Sequence, residues 1–226
     1  MYLMVMNLIC HIIFLLIINL SFALSNAKAG VFSITRIQYS GGGDWYADPS
    51  SIPNLLNFIS QNTNIMVDKK ESRSKISGDE FYNSYYLYLT GHGNINFSEK
   101  EAQELRKFLL QGGFLHADDN YGMDISFRRE MKKVFPDKDW VELPNTHPIF
   151  NIHYTFKNGL PKIHEHNNKR PQAFALFDNK RMIAIYTYES DLGDGWEDKD
   201  VHGNSEEIRE EALKMGANII IYSLKQ

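Results

Sequence analysis

Apolar and polar positions along this chain follow two periods, and both are clearest between residues 85 and 119. Residues 85–89 (YYLYL) are an aromatic and aliphatic run suited to a buried strand, broken by Gly91-His92-Gly93. Ser98 and Glu101 have the spacing of a capping box, and Ala102, Leu105, Phe108 and Leu109 fall on one helical face. Gly112-Gly113 stops that helix. Phe114-Leu115 then start a second strand that ends on His116, Ala117, Asp118 and Asp119. Two strands joined by one helix pair in parallel, so their carboxyl ends lie side by side. Open α/β sheets build their sites on that edge.

The same periods organise the rest. Residues 31–39 (VFSITRIQY) alternate as a first strand, with Phe32, Ile34 and Ile37 as core contacts. Ser50 or Ser51 stands where a helix cap belongs, ahead of Pro53 and an apolar face of Ile52, Leu55, Leu56 and Ile59. Residues 64–68 (NIMVD) read as a short second strand, and the charged stretch 69–84 as a surface connection. Asp124 caps a helix whose face is Phe127, Met131, Val134 and Phe135, closed by Pro136. A short strand at 140–143, a His-Pro turn at 145–150 and a histidine-containing loop at 152–171 follow. Residues 174–177 and 182–188 pair as a hairpin across Asp178-Asn179-Lys180. A last helix turns Ile208, Ala212, Met215, Ile219 and Tyr222 inward. This order predicts an α/β fold, a doubly wound and mostly parallel sheet with helices on both faces and a late β-hairpin.

Residues 1–29 are different material. Residues 8–24 are apolar apart from Cys10, His11, Asn19 and Ser21, and no charged side chain precedes Lys28. Ala27-Lys28-Ala29 fits a small-x-small cleavage site, with Ala23-Leu24-Ser25 as a rival, so a signal peptide over 1–29 and a single α/β domain over 30–226 are expected. The expected setting is export, into a bacterial periplasm, with no stable membrane span after cleavage. Cleavage also removes Cys10, the only cysteine, and with it disulfides, a thiol nucleophile and thiolate metal ligands. A net charge of -4 without a Lys/Arg cluster excludes a general nucleic-acid binder.

The candidate chemistry lies at strand ends. Gly41-Gly42-Gly43-Asp44-Trp45-Tyr46 follows the first strand, and its glycines suit either an anion cradle or a loop tip with Trp45 packed down. It is no Walker or dinucleotide fingerprint. His92, His116 and Asp118 are candidate ligands for a divalent metal. His116, Asp118 and His147 are candidate acid/base groups. The bland reading has Asp118 and Asp119 capping the next helix and His116 bonded to a carbonyl. Alternation puts His116 and Asp118 on one side of their strand and Asp119 on the other. Residues 189–198 carry five acids and two glycines around Trp196, without EF-hand spacing. They read as a solvated acidic loop, with Glu189, Asp191 and Trp196 kept as rim candidates. His153, His164, His166 and His202 read as surface residues.

The set GGGDWY, TGHGN, GGFLHADDNYG, LPNTHPIF and YESDLGDGWED resembles the bacterial domain-of-unknown-function family 4159 across nearly all of residues 30–226. That family implies no established activity. More distantly the layout resembles the flavodoxin-like, class I glutamine amidotransferase-like fold, especially its trehalose-utilisation branch. That branch likewise has a glycine pair leading into a strand ending at histidine; in the amidotransferases a nucleophilic cysteine stands about where His116 is here, so amidotransferase chemistry is not implied. The leading expectation is an exported domain binding a small polar ligand, a sugar for example, through Gly42, Gly43, Asp44, Trp45, His92, Asp119, Glu189, Asp191 and Trp196. It further requires Trp45 and Trp196 to meet at the cleft of His116 and Asp118. The alternatives are a metal-assisted or acid/base hydrolase using His92, His116, Asp118 and His147, and a partner-binding module of an envelope complex.

Overall fold

The computed structural model describes residues 30–226, and the leader expected over 1–29 lies outside the described residues. Among the described residues seven strands form: β1 (Ile34–Ile37), β2 (Ser72–Ser74), β3 (Tyr86–Gly91), β4 (Phe114–Asp119), β5 (Val141–Glu142), β6 (Gln172–Asp178) and β7 (Arg181–Tyr188). The helices are α1 (Ser51–Asn62), α2 (Glu99–Leu110), α3 (Asp124–Val134), α4 (Leu192–Trp196) and α5 (Glu206–Lys225), with a 3-10 turn at Pro148–Phe150. The strands make one sheet in the order β2-β1-β3-β4-β7-β6-β5. The first five in that order are parallel, and β6 and β5 continue the sheet antiparallel.

Strand alternation distributes the core over two faces. Tyr86 and Tyr88 of β3, Phe114 of β4 and Ile185 of β7 pack with α1 and α5, whereas Leu87, Leu89, Leu115 and Tyr186 pack with α2 and α3. Each fully buried side chain of this size contributes about 1.5–3 kcal/mol. The sheet is therefore doubly wound, as the order of elements predicts. Among the described residues, no helix is long and apolar enough to cross a membrane.

The capping box forms: Ser98 Oγ accepts from the Glu101 amide at 3.3 Å, and Glu101 Oε2 accepts from the Ser98 amide at 2.8 Å. Three expectations are corrected. Residues 64–68 give only a bridge between Val67 and Phe32, and the second strand is the polar Ser72–Ser74. An edge strand needs one ladder and no apolar face, so Arg73 can sit in it. Neither Ser50 nor Ser51 caps α1 through its side chain; Glu197 Oε1 accepts from both amides instead, at 2.7 and 3.1 Å. Asp124 is inside α3 and pairs with Arg128 at 2.6 Å, while Asp119 Oδ1 accepts from the Met123 amide at 3.3 Å.

Candidate functional site

β4 and β7 run side by side with Asp118 opposite Thr187, and this register brings the polar strand ends together. On the α1/α5 face Asp118 is fully buried. Its Oδ2 accepts from the Gly193 amide at 2.7 Å and from Tyr88 Oη at 3.3 Å, and the Thr187 hydroxyl donates to Oδ1. Thr187 Oγ1 in turn lies 3.1 Å from His116 Nε2, and His116 Nδ1 lies 3.1 Å from Tyr86 Oη. The self-consistent pattern is a neutral imidazole with its proton on Nε2. Burial pushes His116 down to about 3 and Asp118 up to about 7. His116 is thus buried beneath Trp196 with both ring nitrogens engaged, and it offers no free ligand atom.

Asp48, seven per cent exposed, comes to the same place from the loop after β1. Asn120 Nδ2 donates to its Oδ2 at 2.6 Å, and Asn120 Oδ1 accepts from Thr90 at 3.0 Å. Burial first, and then Asp194, push Asp48 up to about 6. Arg36 holds its loop from below: the guanidinium donates to Ala47 O at 2.7 Å and Asp48 O at 3.0 Å.

The acidic segment after β7 is not solvated. Glu189, Asp191, Asp194 and Glu197 are all buried, and residues Leu192–Trp196 wind into a short helix. The histidine-containing loop folds over it, with the amides of Ile163 and His164 donating to Ser190 O. His164, His166 and His202 are consequently not mere surface residues. His164 Nδ1 lies 2.8 Å from Asp194 Oδ2 and 3.7 Å from Asp191 Oδ2. His166 Nε2 lies 2.8 Å from Asp191 Oδ2, and His202 Nδ1 lies 3.3 Å from Asp194 Oδ2. The side chains of His164, His166 and His202 stay partly open to solvent, at 45%, 22% and 25%. Burial and the neighbouring carboxylates Asp194 and Asp118 raise the Asp191 carboxyl well above its ordinary range.

Gly193 is the point on which Asp48, Tyr88 and Asp118 converge. A Cβ there would lie 2.6 Å from Asp48 Oδ2, 3.1 Å from Tyr88 Oη and 3.4 Å from Asp118 Oδ2. Gly193→Ala is expected to cost about 1–3 kcal/mol in a urea melt, because it must displace an anchored carboxylate. A change inside measurement error would mean that the carboxylates yield freely.

The other predicted residues fall elsewhere. Trp196 is wholly buried between Tyr88 and His116 and donates to Ala212 O at 2.8 Å. Trp45 packs against the core of the opposite, α2/α3 face. The two indoles therefore do not share a rim. Gly43 and Asp44 spend their amides on Asn94 O and His92 O, and a Cβ at Gly43 would meet His92 O at 2.6 Å. The glycines thus serve backbone-to-backbone contact, with Gly42 exposed. His92 pairs with Asp44 at 3.0 Å in the open, on this loop rather than with His116. His147 caps the 3-10 turn through Nδ1 and lies against Tyr222 near the far end of α5, away from Trp196 and Ala212. Glu189 meets Lys162 at 3.2 Å and Asn167 at 2.9 Å. Asp119, on the other side of β4, does help to cap α3.

Asp48, Asp194, Asn120 and the three histidines went unread as site residues. The available signal was His164-Glu165-His166, two imidazoles one residue apart, together with Asp191 and Asp194 on one turn. A family model described as Domain of unknown function (DUF4159) matches residues 33–224, from β1 to the last turn of α5. No curated protein matches the chain.

Proposed function

The chain belongs to the DUF4159 family, a domain of unknown function, and from that premise we propose that its carboxyl-edge cluster binds a small polar ligand without thiol chemistry. The observation that carries this reading is the meeting of Asp48 and Asp118 at Gly193, with Asp191 and Asp194 on the same short segment paired to three partly open imidazoles. Carboxylates accept hydrogen bonds, so the complementary ligand is rich in donors, and sugar hydroxyls are the first class to try. Tyr121, 43% exposed and stacked on His166 at 4.5 Å, supplies the aromatic face that the tryptophans do not. Export to the periplasm and an amidotransferase-like layout belong to the same proposal.

A thermal-shift screen of sugars and polyols tests it. A ligand is expected to raise the melting temperature of the wild type and to lose its effect in Asp194→Asn. A screen without hits, or one whose hits ignore that substitution, counts against the site.

An acid/base variant of the reading is favoured by one observation, the complete burial of the Asp118 carboxyl at a strand end, which pushes it up to about 7. That placement has its own measurable result. Burial favours the neutral carboxyl, so the stability Asp118 contributes is complete below its ordinary value near 3.8 and is lost as pH rises through about 7. His116 runs the other way, contributing above 6.5 and losing that contribution as pH falls towards 3. Between about pH 6 and 8 the wild type should lose roughly 1 kcal/mol that Asp118→Asn retains. Parallel pH profiles for the two proteins would refute the assignment.

A further inference from the structure

We propose that the carboxyl edge holds one divalent transition-metal ion, bound by His164, His166 and Asp191 with Asp194 and His202 completing the site. This rests on the reading of that edge as the functional site and names its inorganic component. Two triads, His164/His166/Asp191 and His164/Asp194/His202, each offer ligand atoms within 4.8 Å of one another, and they share His164. Donors about 2.0–2.1 Å from a zinc-like ion lie roughly 3.3 Å apart, and the separations of 2.8, 3.3 and 3.7 Å bracket that value.

Asp191 supplies an independent sign. It is two per cent exposed and points at His166 and His164 through Oδ2, and its buried Oδ1 has no hydrogen-bond partner. An orphaned carboxylate oxygen at such a place is costly unless something charged meets it. Among the described residues, Asp191 and Asp194 form ion pairs only with histidines, never with lysine or arginine. A cation is the missing charge.

The donor set narrows the ion. Imidazole nitrogen with carboxylate oxygen suits zinc, manganese, iron or nickel, whereas magnesium and calcium prefer oxygen alone. Outer contacts are also in place: Tyr121 stacks on His166, and His202 Nε2 faces Asp48 Oδ1 at 4.0 Å. Partial exposure of His164 leaves the ion a solvent side.

The protein purified without chelator is assayed for metal, then stripped and titrated with Zn2+, Mn2+ and Co2+. One ion per chain is expected, and bound Co2+ should show the visible absorption of a mixed nitrogen and oxygen site. The double change His164→Ala with His166→Ala should weaken binding beyond the ~10–100-fold typical of outer contacts, with the far-ultraviolet spectrum unchanged. His202→Ala is the second variant should that pair misfold, and His153→Ala is the control. No binding at stoichiometric ion, or binding indifferent to the His164 and His166 changes, overturns the proposal. A sugar that stabilises the stripped protein, with no ion bound, discards the metal and keeps the ligand site. One ion with no ligand found keeps the metal and discards the other.

Discussion

Arg36→Ala should destabilise the protein by about 3–5 kcal/mol, which for a chain of this size is a fall of roughly 10 °C in melting temperature. The side chain is wholly buried, paired with Glu71 at 2.8 Å, and bonded to Ala47 O, Asp48 O and Ser51 Oγ. Alanine leaves two loop carbonyls without this donor and the Glu71 carboxylate with Arg73 alone, and such groups cost more than the pair itself gains. Arg36→Lys cannot restore the fork of contacts. Arg36→Met combined with Glu71→Gln should recover part of the loss, because no buried charge is then stranded and Arg73 is half open to water. Chemical denaturation of the four proteins decides it. A single-mutant loss below about 1 kcal/mol would show that the guanidinium does not hold the loop.

Trp196→Ala is the second large effect, at about 3–5 kcal/mol. The indole fills the space between Tyr88, His116 and Gly216, where a glycine Cβ would lie 2.8 Å from its ring. Little nearby can collapse into the void, since Tyr88 and His116 are fixed by hydrogen bonds at their far ends. Trp196→Phe should cost less than alanine but leave Ala212 O without its indole donor. A rim residue would behave differently, weakening a ligand while leaving the melt in place. A Trp196→Ala protein as stable as wild type would return the indole to the rim.

The unit from β3 through α2 to β4 was legible because local signals agreed there: apolar runs, a capping box and a glycine stop. Even the opposed directions of Asp118 and Asp119 followed from strand alternation. The site was half legible. A strand end bearing His116 and Asp118 pointed to the edge where the candidate site lies, but burial was assigned by polarity. The acids after β7 look solvated in sequence, and they and Arg36 are buried because loops fold over them. Arg36 lies under residues 45–51, and Asp191 lies beneath residues 163–166. Periodicity reports which face an element buries, and no period reports a loop laid across its end. His164 and His166 were missed for the same reason, since their hydrogen-bond partners are 30 and 25 residues away.

Glu197, which accepts from the first amides of α1, sits 147 residues downstream of Ser50. α1 follows directly on the first strand, yet its amino end is completed by a side chain made 147 residues later. Contacts of such separation pay their loop-closure cost late, after local units have formed. The β1 to α1 segment, and with it Asp48, should therefore reach its final place only when the region around α4 docks. The candidate site is then among the last parts of the molecule to form, and a chain cut before Glu197 would carry the sheet's first strands without a closed site.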